Sequence, residues 1–268
     1  LADGGHEERS ASYHLLMLDR LVELACTIAN VTDKTPPWLL EAIEVMAKWA
    51  NAVRLENGEA PRFNDSPLDV APPMDVVLEF AWACLEQRQA NPAYVKAQPN
   101  HWGLRSLLLQ AATCNNLPPP ASSLAANTHS STTITDLPAT GWTLLRPGHG
   151  WELSFKCGIP CPKHLPPHVH SDQLSIELSH RGQWLISEAG TSVYGDSPER
   201  AYERSGEAHN VLQLGVRSQP EEISWIEPVE VWSNFRAGRK AQPRERQFGV
   251  LTDAVCFIEG SHDGFDHI

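Results

Sequence analysis

The chain has 268 residues, 41% of them hydrophobic and 20% charged, and a formal net charge of −12. That length allows one large domain or two smaller ones with a substantial core, and the composition excludes collagen, coiled coil and wholesale disorder. The acidic balance disfavours non-specific binding to nucleic acid or an anionic membrane, and the apolar runs are too short and too broken by charge to insert in a bilayer.

The first ~115 residues carry helical periodicity. Between Ser10 and Ala29 the apolar residues Leu15, Leu16, Leu18, Leu21, Val22, Leu24 and Ala25 recur with i, i+3, i+4, i+7 spacing, and Ser10 can cap the helix. Pro36 and Pro37 suit a second helix start, followed by Leu40, Ile43, Met46 and Trp49 up to Val53. Further helices are expected from Pro72 to Glu86 and from about His101 to Ala112. Polar loops rich in Pro, Gly and Asn between them suggest antiparallel hairpins in a bundle or toroid. Residues 116–140 hold Leu117-Pro118-Pro119-Pro120 and Ser130-Ser131-Thr132-Thr133 and read as a linker. From Gly141 the period becomes two. Trp142–Arg146 and Trp151–Phe155 flank a Pro147-Gly148-His149-Gly150 turn, and strands are expected at Leu174–Leu178, Trp184–Ser187, Val211–Leu214, Val229–Phe235 and Val255–Glu259. Residues 141–268 are therefore expected to form an antiparallel β domain, a sandwich. The chain begins at Leu1 with no basic n-region or apolar h-region and stops at Ile268, which reads as an internal piece of a longer protein.

Six cysteines are too few for a disulfide scaffold of this length; Cys157 and Cys161 either pair or stay as two thiols. The densest chemistry is His164-Leu165-Pro166-Pro167-His168-Val169-His170-Ser171-Asp172. On a strand, His168, His170 and Asp172 would share a face, which suits a zinc site or acid–base work; the plain alternative is a His-rich surface turn. Glu188 at a strand end and His209 before another strand would close a tetrahedral site with His170. Taken singly they read as an exposed carboxylate and a hydrogen-bonded loop histidine. Tyr13 falls in the first turns of a helix, where the positive helix end and Arg9 would favour phenolate, or else it packs as a core tyrosine. Arg200, Arg204, Arg236, Arg239 and Lys240 could form a cleft for carboxylate or sulfate, or simply a solvated face. There is no Walker A motif, no dinucleotide fingerprint and no Gly-x-Ser-x-Gly elbow.

Taken together, the segments resemble the heparinase II/III-like family of polysaccharide lyases, which includes oligo-alginate lyases. The matching stretches are Asp3–Ser10 leading to Tyr13-His14, Phe63-Asn64-Asp65-Ser66, His168–Ser175, Glu188–Tyr194, Arg200–Arg204 through His209-Asn210, Phe235–Arg239, and His262–Phe265. The resemblance implies an α+β two-domain chain: the C-terminal part of an (α/α) toroid over 1–115, then a β-sandwich over 141–268. It implies β-elimination on a uronate-containing polysaccharide, with Tyr13 as the acid, and also the base, facing His168. It implies zinc held by His170, Glu188 and His209, although the family usually has Asp at the position of Glu188. Substrate contacts are expected from Arg9, His14, Arg204, Arg236 and Arg239. The family's carboxylate-neutralising Asn or His lies upstream of the Tyr, beyond the start of this chain. The resemblance also implies an anionic polysaccharide as partner and a periplasmic or secreted location. Two other readings use the same residues: a non-catalytic glycan-binding or polysaccharide-assembly protein, and a zinc hydrolase built on His168, His170, Glu188 and His209.

Overall fold

The computed structural model describes residues 1–32, 34–86, 132–219, 222–233, 236–252 and 255–268. The helix expected from His101 to Ala112, and the expected linker as far as residue 131, lie outside the described residues.

Three helices come first: α1 (Ala11–Thr32), α2 (Pro37–Val53) and α3 (Met74–Glu86). Each buries one stripe against the other two. Leu15, Leu18, Val22 and Ala25 of α1 meet Leu39, Ile43, Ala47 and Ala50 of α2 and Val77, Leu78 and Ala81 of α3 in one core. Pro36 stands at the α2 N-cap with Pro37 behind it, where a missing N–H leaves no intrahelical bond unmade.

The strands that follow are all antiparallel. β1 (Thr133–Leu137), β2 (Trp142–Gly148), β3 (Trp151–Lys156), β4 (Ile176–His180) and β5 (Gln183–Ile186) form one sheet in chain order. A short helix, α4 (Pro198–Arg204), is capped by the Ser197 side chain, which accepts from the Arg200 N–H at 3.2 Å. Three hairpins complete the chain: β6 (Leu214–Gln219) with β7 (Glu222–Ile226), β8 (Val229–Ser233) with β9 (Arg236–Lys240), and β10 (Pro243–Thr252) with β11 (Val255–His262). Among the described residues no helix is long and apolar enough to cross a membrane.

Two expectations need correction. Thr133–Leu137, placed in the linker, is a strand paired with β2 from Thr133↔Arg146 to Leu137↔Trp142. Its polar composition hides its strand character until β2 supplies the partner. The segment His168–Asp172 is irregular backbone rather than a strand, so its side chains do not share a face. Cys157 and Cys161, for which pairing was one option, are both free thiols.

The helical and β halves share one hydrophobic core. Trp142 and Leu144 of β2 and Leu137 of β1 belong to the same buried cluster as the helices. The Trp142 ring lies 5.4 Å from Trp49 and 5.2 Å from Phe63. The β1–β2 turn depends on glycine: Gly141 has φ of +86°, and a Cβ there would come within 2.3 Å of the Gly158 Cα.

A second set of residues from the β half is buried and polar, and it captures the backbone that follows α2. Glu152 accepts from the Glu56 N–H at 2.9 Å, Glu177 from the Arg62 N–H at 2.9 Å, and Asp172 from the Asn64 N–H at 2.9 Å. Arg146 donates to the carbonyls of Ala52 at 3.1 Å and Arg54 at 3.0 Å, closing the open end of α2, and pairs with Glu152. Lys156, fully buried, donates to Asn64 Oδ1 at 2.6 Å and also to Asp172. Removing one partner of such a pair leaves a bare charge in the interior. Lys156→Ala should therefore lower the unfolding free energy by about 3–5 kcal/mol, read from the urea midpoint. A loss below about 1 kcal/mol would mean that water replaces the lysine.

Candidate active site

The loop pinned in this way carries Asp65. Its carboxylate has no solvent exposure and four side chains converge on it. Arg200 of α4 clamps it with both terminal nitrogens, Nη1 to Oδ1 and Nη2 to Oδ2, each at 2.6 Å. His168 Nδ1 lies 2.8 Å from Oδ2, His170 Nε2 lies 2.7 Å from Oδ1, and the Thr191 hydroxyl donates to Oδ1 at 3.1 Å. Burial alone would raise the pKa of this carboxyl. The hydrogen bonds from His168, His170 and Arg200 outweigh burial and hold it well below the usual carboxylate range.

An ionised Asp65 fixes the proton positions around it, because a carboxylate can only accept. His168 therefore donates through Nδ1, and its Nε2 lies on the opposite edge of the ring, 3.7 Å from Glu8 Oε2. His170 donates through Nε2. Burial holds His170 down to about 4, so it is neutral near pH 7 and its Nδ1 must accept. That proton comes from His209 Nε2, 3.2 Å away. The other side of the His209 ring, Nδ1, meets Glu188 Oε2, and a proton has to lie between them. Glu188 Oε1 in turn receives the Ser175 hydroxyl. The chain Glu188–His209–His170–Asp65 is thus a string of side chains joined end to end.

In that string the residues expected as zinc ligands engage one another. His170 and Glu188 lie on opposite ring nitrogens of His209, so one ion cannot touch all three donors as they stand. Among the described residues no group of three or more His, Cys, Asp or Glu is arranged to hold a metal. The residues expected as ligands are brought together, but as mutual hydrogen-bond partners.

On the solvent side of Asp65, the Tyr13 ring lies 4.3 Å from the His168 ring, tilted by 45°. The Tyr13 hydroxyl meets that of Tyr194, whose own ring lies 5.2 Å from the Arg200 guanidinium. Burial, with help from Asp65 and Glu8, raises the Tyr13 phenol above its ordinary value, against the opposing effects of Tyr194 and Arg200. The phenolate expected from the helix end and Arg9 is not favoured, because the Arg9 guanidinium turns away to the Glu7 carbonyl at 2.9 Å. Tyr13 is a protonated phenol beside an imidazole whose Nε2 is not used by Asp65.

The expected substrate contacts divide. His14 is fully buried, stacks 4.2 Å from Trp49, accepts from the His6 N–H at Nδ1 and donates from Nε2 to the Met46 carbonyl. It is a core residue with both nitrogens used. Arg9 is buried, in left-handed backbone at φ +54°. Arg239 is taken up by Glu230, the Gly264 carbonyl and His267. Arg204, the last residue of α4, is buried, and Arg236 lies over the Trp232 ring at 5.7 Å. Asp65 was missing from the expected site, and Arg200, expected in a basic cleft for a ligand, is bound to this carboxylate. Asp65 stood in plain view within Phe63-Asn64-Asp65-Ser66, but no local spacing shows that a turn carboxylate will be met by residues more than a hundred positions away.

Residues 129–268, more than half of the chain, match the family model described as heparinase II/III-like, C-terminal. No curated protein matches the chain. Solved structures do. One described as heparinase III is 16% identical, with a TM-score of 0.55 over 93% of this chain and 35% of its own. A heparinase III described as the BT4657 gene product is 18% identical, with a TM-score of 0.54 over 85% and 35%. The heparan sulfate lyase HepC from Pedobacter heparinus is 17% identical, with a TM-score of 0.51 over 85% and 35%. At these identities the likeness is one of fold, and the chain spans about a third of the length of each.

Two outcomes follow from the proton positions. His170, held down to about 4, and His14, held down to about 3, are neutral when folded but take up protons near pH 6.5 when unfolded. Glu177, raised to about 8, acts with the opposite sign over the same window, but two histidines outweigh one carboxyl, so the unfolded chain binds more protons as pH falls from 6.5 towards 4 and stability should drop. The contribution of Asp65, whose folded pKa is depressed, is lost only below about pH 3.8. Thermal melts between pH 7 and 4 check this, and a melting temperature that stays flat would show that the histidines are not buried neutral. Second, elemental analysis of the folded protein after brief chelation should find zinc well below one per chain. Stoichiometric zinc that is lost in His170→Ala would show that the string rearranges to converge on a metal.

Proposed function

The chain belongs to the heparinase II/III-like family, and from that premise we propose that the complete protein is a polysaccharide lyase acting on a uronate-containing chain by β-elimination. In this reading helices α1–α3 are the closing part of an (α/α) toroid, and the hairpins extend the five-stranded sheet into the sandwich. The observation that carries the reading is the Tyr13–His168 contact anchored on Asp65.

The reaction breaks the C5–H bond, forms the C4=C5 double bond and breaks the C4–O4 bond. It needs an acceptor for the C5 proton and a donor for the departing O4. His168 Nε2 supports the first role: Nδ1 is committed to Asp65, so the lone pair faces away from it, and the buried carboxylate stabilises the imidazolium that forms. Tyr13 supports the second, because its raised pKa keeps the proton on oxygen until the leaving group takes it. Afterwards His168 carries the extra proton and Tyr13 lacks one. Transfer of the extra proton from His168 through solvent to the Tyr13 oxygen restores the pair. This gives the base role, assigned to Tyr13 from sequence, to His168.

The expected outcome in the complete protein is that Tyr13→Phe loses about 10²–10⁴-fold in kcat while the melting temperature stays within a few degrees. Asp65→Asn should lose a comparable factor, since an amide cannot hold the same tautomer or balance the imidazolium. The readout is ultraviolet absorbance of the unsaturated uronate product on alginate, heparan-type and exopolysaccharide substrates. Activity of Tyr13→Phe within about threefold of wild type would overturn the assignment, and absence of product from the wild type on every polymer would favour a glycan-binding role for the same scaffold.

A further inference from the structure

Beside the Tyr13–His168 site, on the far side of Arg200, lies a cavity of about 400 Å³ between α4 and β8. Its lining includes Ser171, Arg200, Arg204, Trp232, Asp196 and Glu227. The volume falls in the range of about 300–1,000 Å³ seen for small-molecule sites.

Arg204 is 1% exposed. Its Nε donates to the Val169 carbonyl at 2.9 Å and its Nη1 to the Ser233 carbonyl at 2.7 Å, so the guanidinium is fixed in one plane. Nη2 is buried and has no partner among the described residues. A buried, charged donor left unmet is costly, and an oxyanion offers the matching acceptor. Burial and the neighbouring Arg200 pull the Arg204 pKa down to about 10, which leaves it charged at neutral pH. Trp232 is 62% exposed, and Gly238 on the paired strand makes room for its ring: a Cβ at 238 would lie 2.5 Å from Cζ2. Asp196 and Glu227 line the same cavity and oppose an anion there, Asp196 acting on the Arg204 charge itself, yet they suit sugar hydroxyls, and Glu227 is already tied to the Gly206 N–H at 2.9 Å.

We propose that this cavity is a subsite for an anionic sugar unit other than the one at Tyr13, with the ring against Trp232 and a carboxylate or sulfate directed to Arg204. The proposal rests on the lyase reading for the identity of the polymer. The shared ligand chemistry is a planar or tetrahedral oxyanion carried on a pyranose.

The test titrates the complete protein with glucuronate, glucosamine 6-sulfate and neutral N-acetylglucosamine, using calorimetry or ligand-observed NMR. At least one anionic sugar should bind at least tenfold tighter than the neutral one, and which of the two does so separates carboxylate from sulfate. Trp232→Ala, a change at an exposed site, should weaken that binding at least fivefold with an unchanged melting temperature. Arg204→Lys keeps the charge but loses the fork, and should remove the preference for the anionic sugar. Equal binding of neutral and anionic sugars, or anionic binding unaltered in Trp232→Ala, would overturn the subsite. Preferential anion binding that depends on Trp232, in a protein that forms no unsaturated product, would sink the lyase reading and leave the subsite standing. Elimination with a KM indifferent to Trp232→Ala would do the reverse.

Discussion

Asp65 carries a full negative charge with none of its surface in water, and that one group holds the site together. Isolated in the interior, an ionised carboxylate would neutralise itself by taking a proton. It stays charged because a guanidinium from α4, two imidazoles from the 168–170 segment and a hydroxyl from the 191 loop all point at it. Each of those groups is fixed in return. Arg200 anchors α4 to the loop after α2, His168 is fixed in one tautomer, and His170 becomes the inner end of a string that runs to Glu188.

The carboxylate can be met from so many sides because the loop bearing it is not free. Glu152, Glu177 and Asp172 each take one backbone N–H of the 56–64 stretch, so the polar part of the β half replaces the hydrogen bonds that a loop would otherwise make to water. Two of these acceptors are balanced by cations, Arg146 for Glu152 and Lys156 for Asp172. Glu177 is not balanced in this way: burial, with Glu188 nearby, pushes it up to about 8. It holds the Arg62 N–H largely as a neutral acid at pH 7, a cheaper state for a buried group than an uncompensated charge.

Behind the Tyr13–His168 pair, Glu188, His209 and His170 form a string whose proton positions are fixed in one direction. Its direction is set at the Asp65 end, where only an acceptor is present. The arrangement gives His170 no nitrogen to spare, which leaves His168 as the imidazole whose second nitrogen is not committed to that network. Asp65 therefore separates two histidines that are neighbours in sequence: one serves the interior, the other faces Tyr13.

The sequence by itself determined the local order. The leucine stripe of α1, the prolines before α2 and the alternation from Trp142 onward each encode a periodicity that neighbouring residues are enough to impose, and the helices and central strands stand where those patterns lie. It also marked the chemistry-bearing residues, since Tyr13, His168, His170, Glu188 and His209 do come together at one place. Only the tertiary structure decided what they do there. Whether Thr133–Leu137 is linker or strand depends on β2 being beside it. Whether His170 and His209 bind metal or each other depends on which ring nitrogens face, and that follows from a carboxylate at position 65. The Tyr13 phenol depends on burial and on charges from three distant segments, which outweigh the helix end that is visible locally. Burial and electrostatics sum over everything within several ångströms, whatever its separation along the chain, and a periodicity along the chain carries no record of that sum.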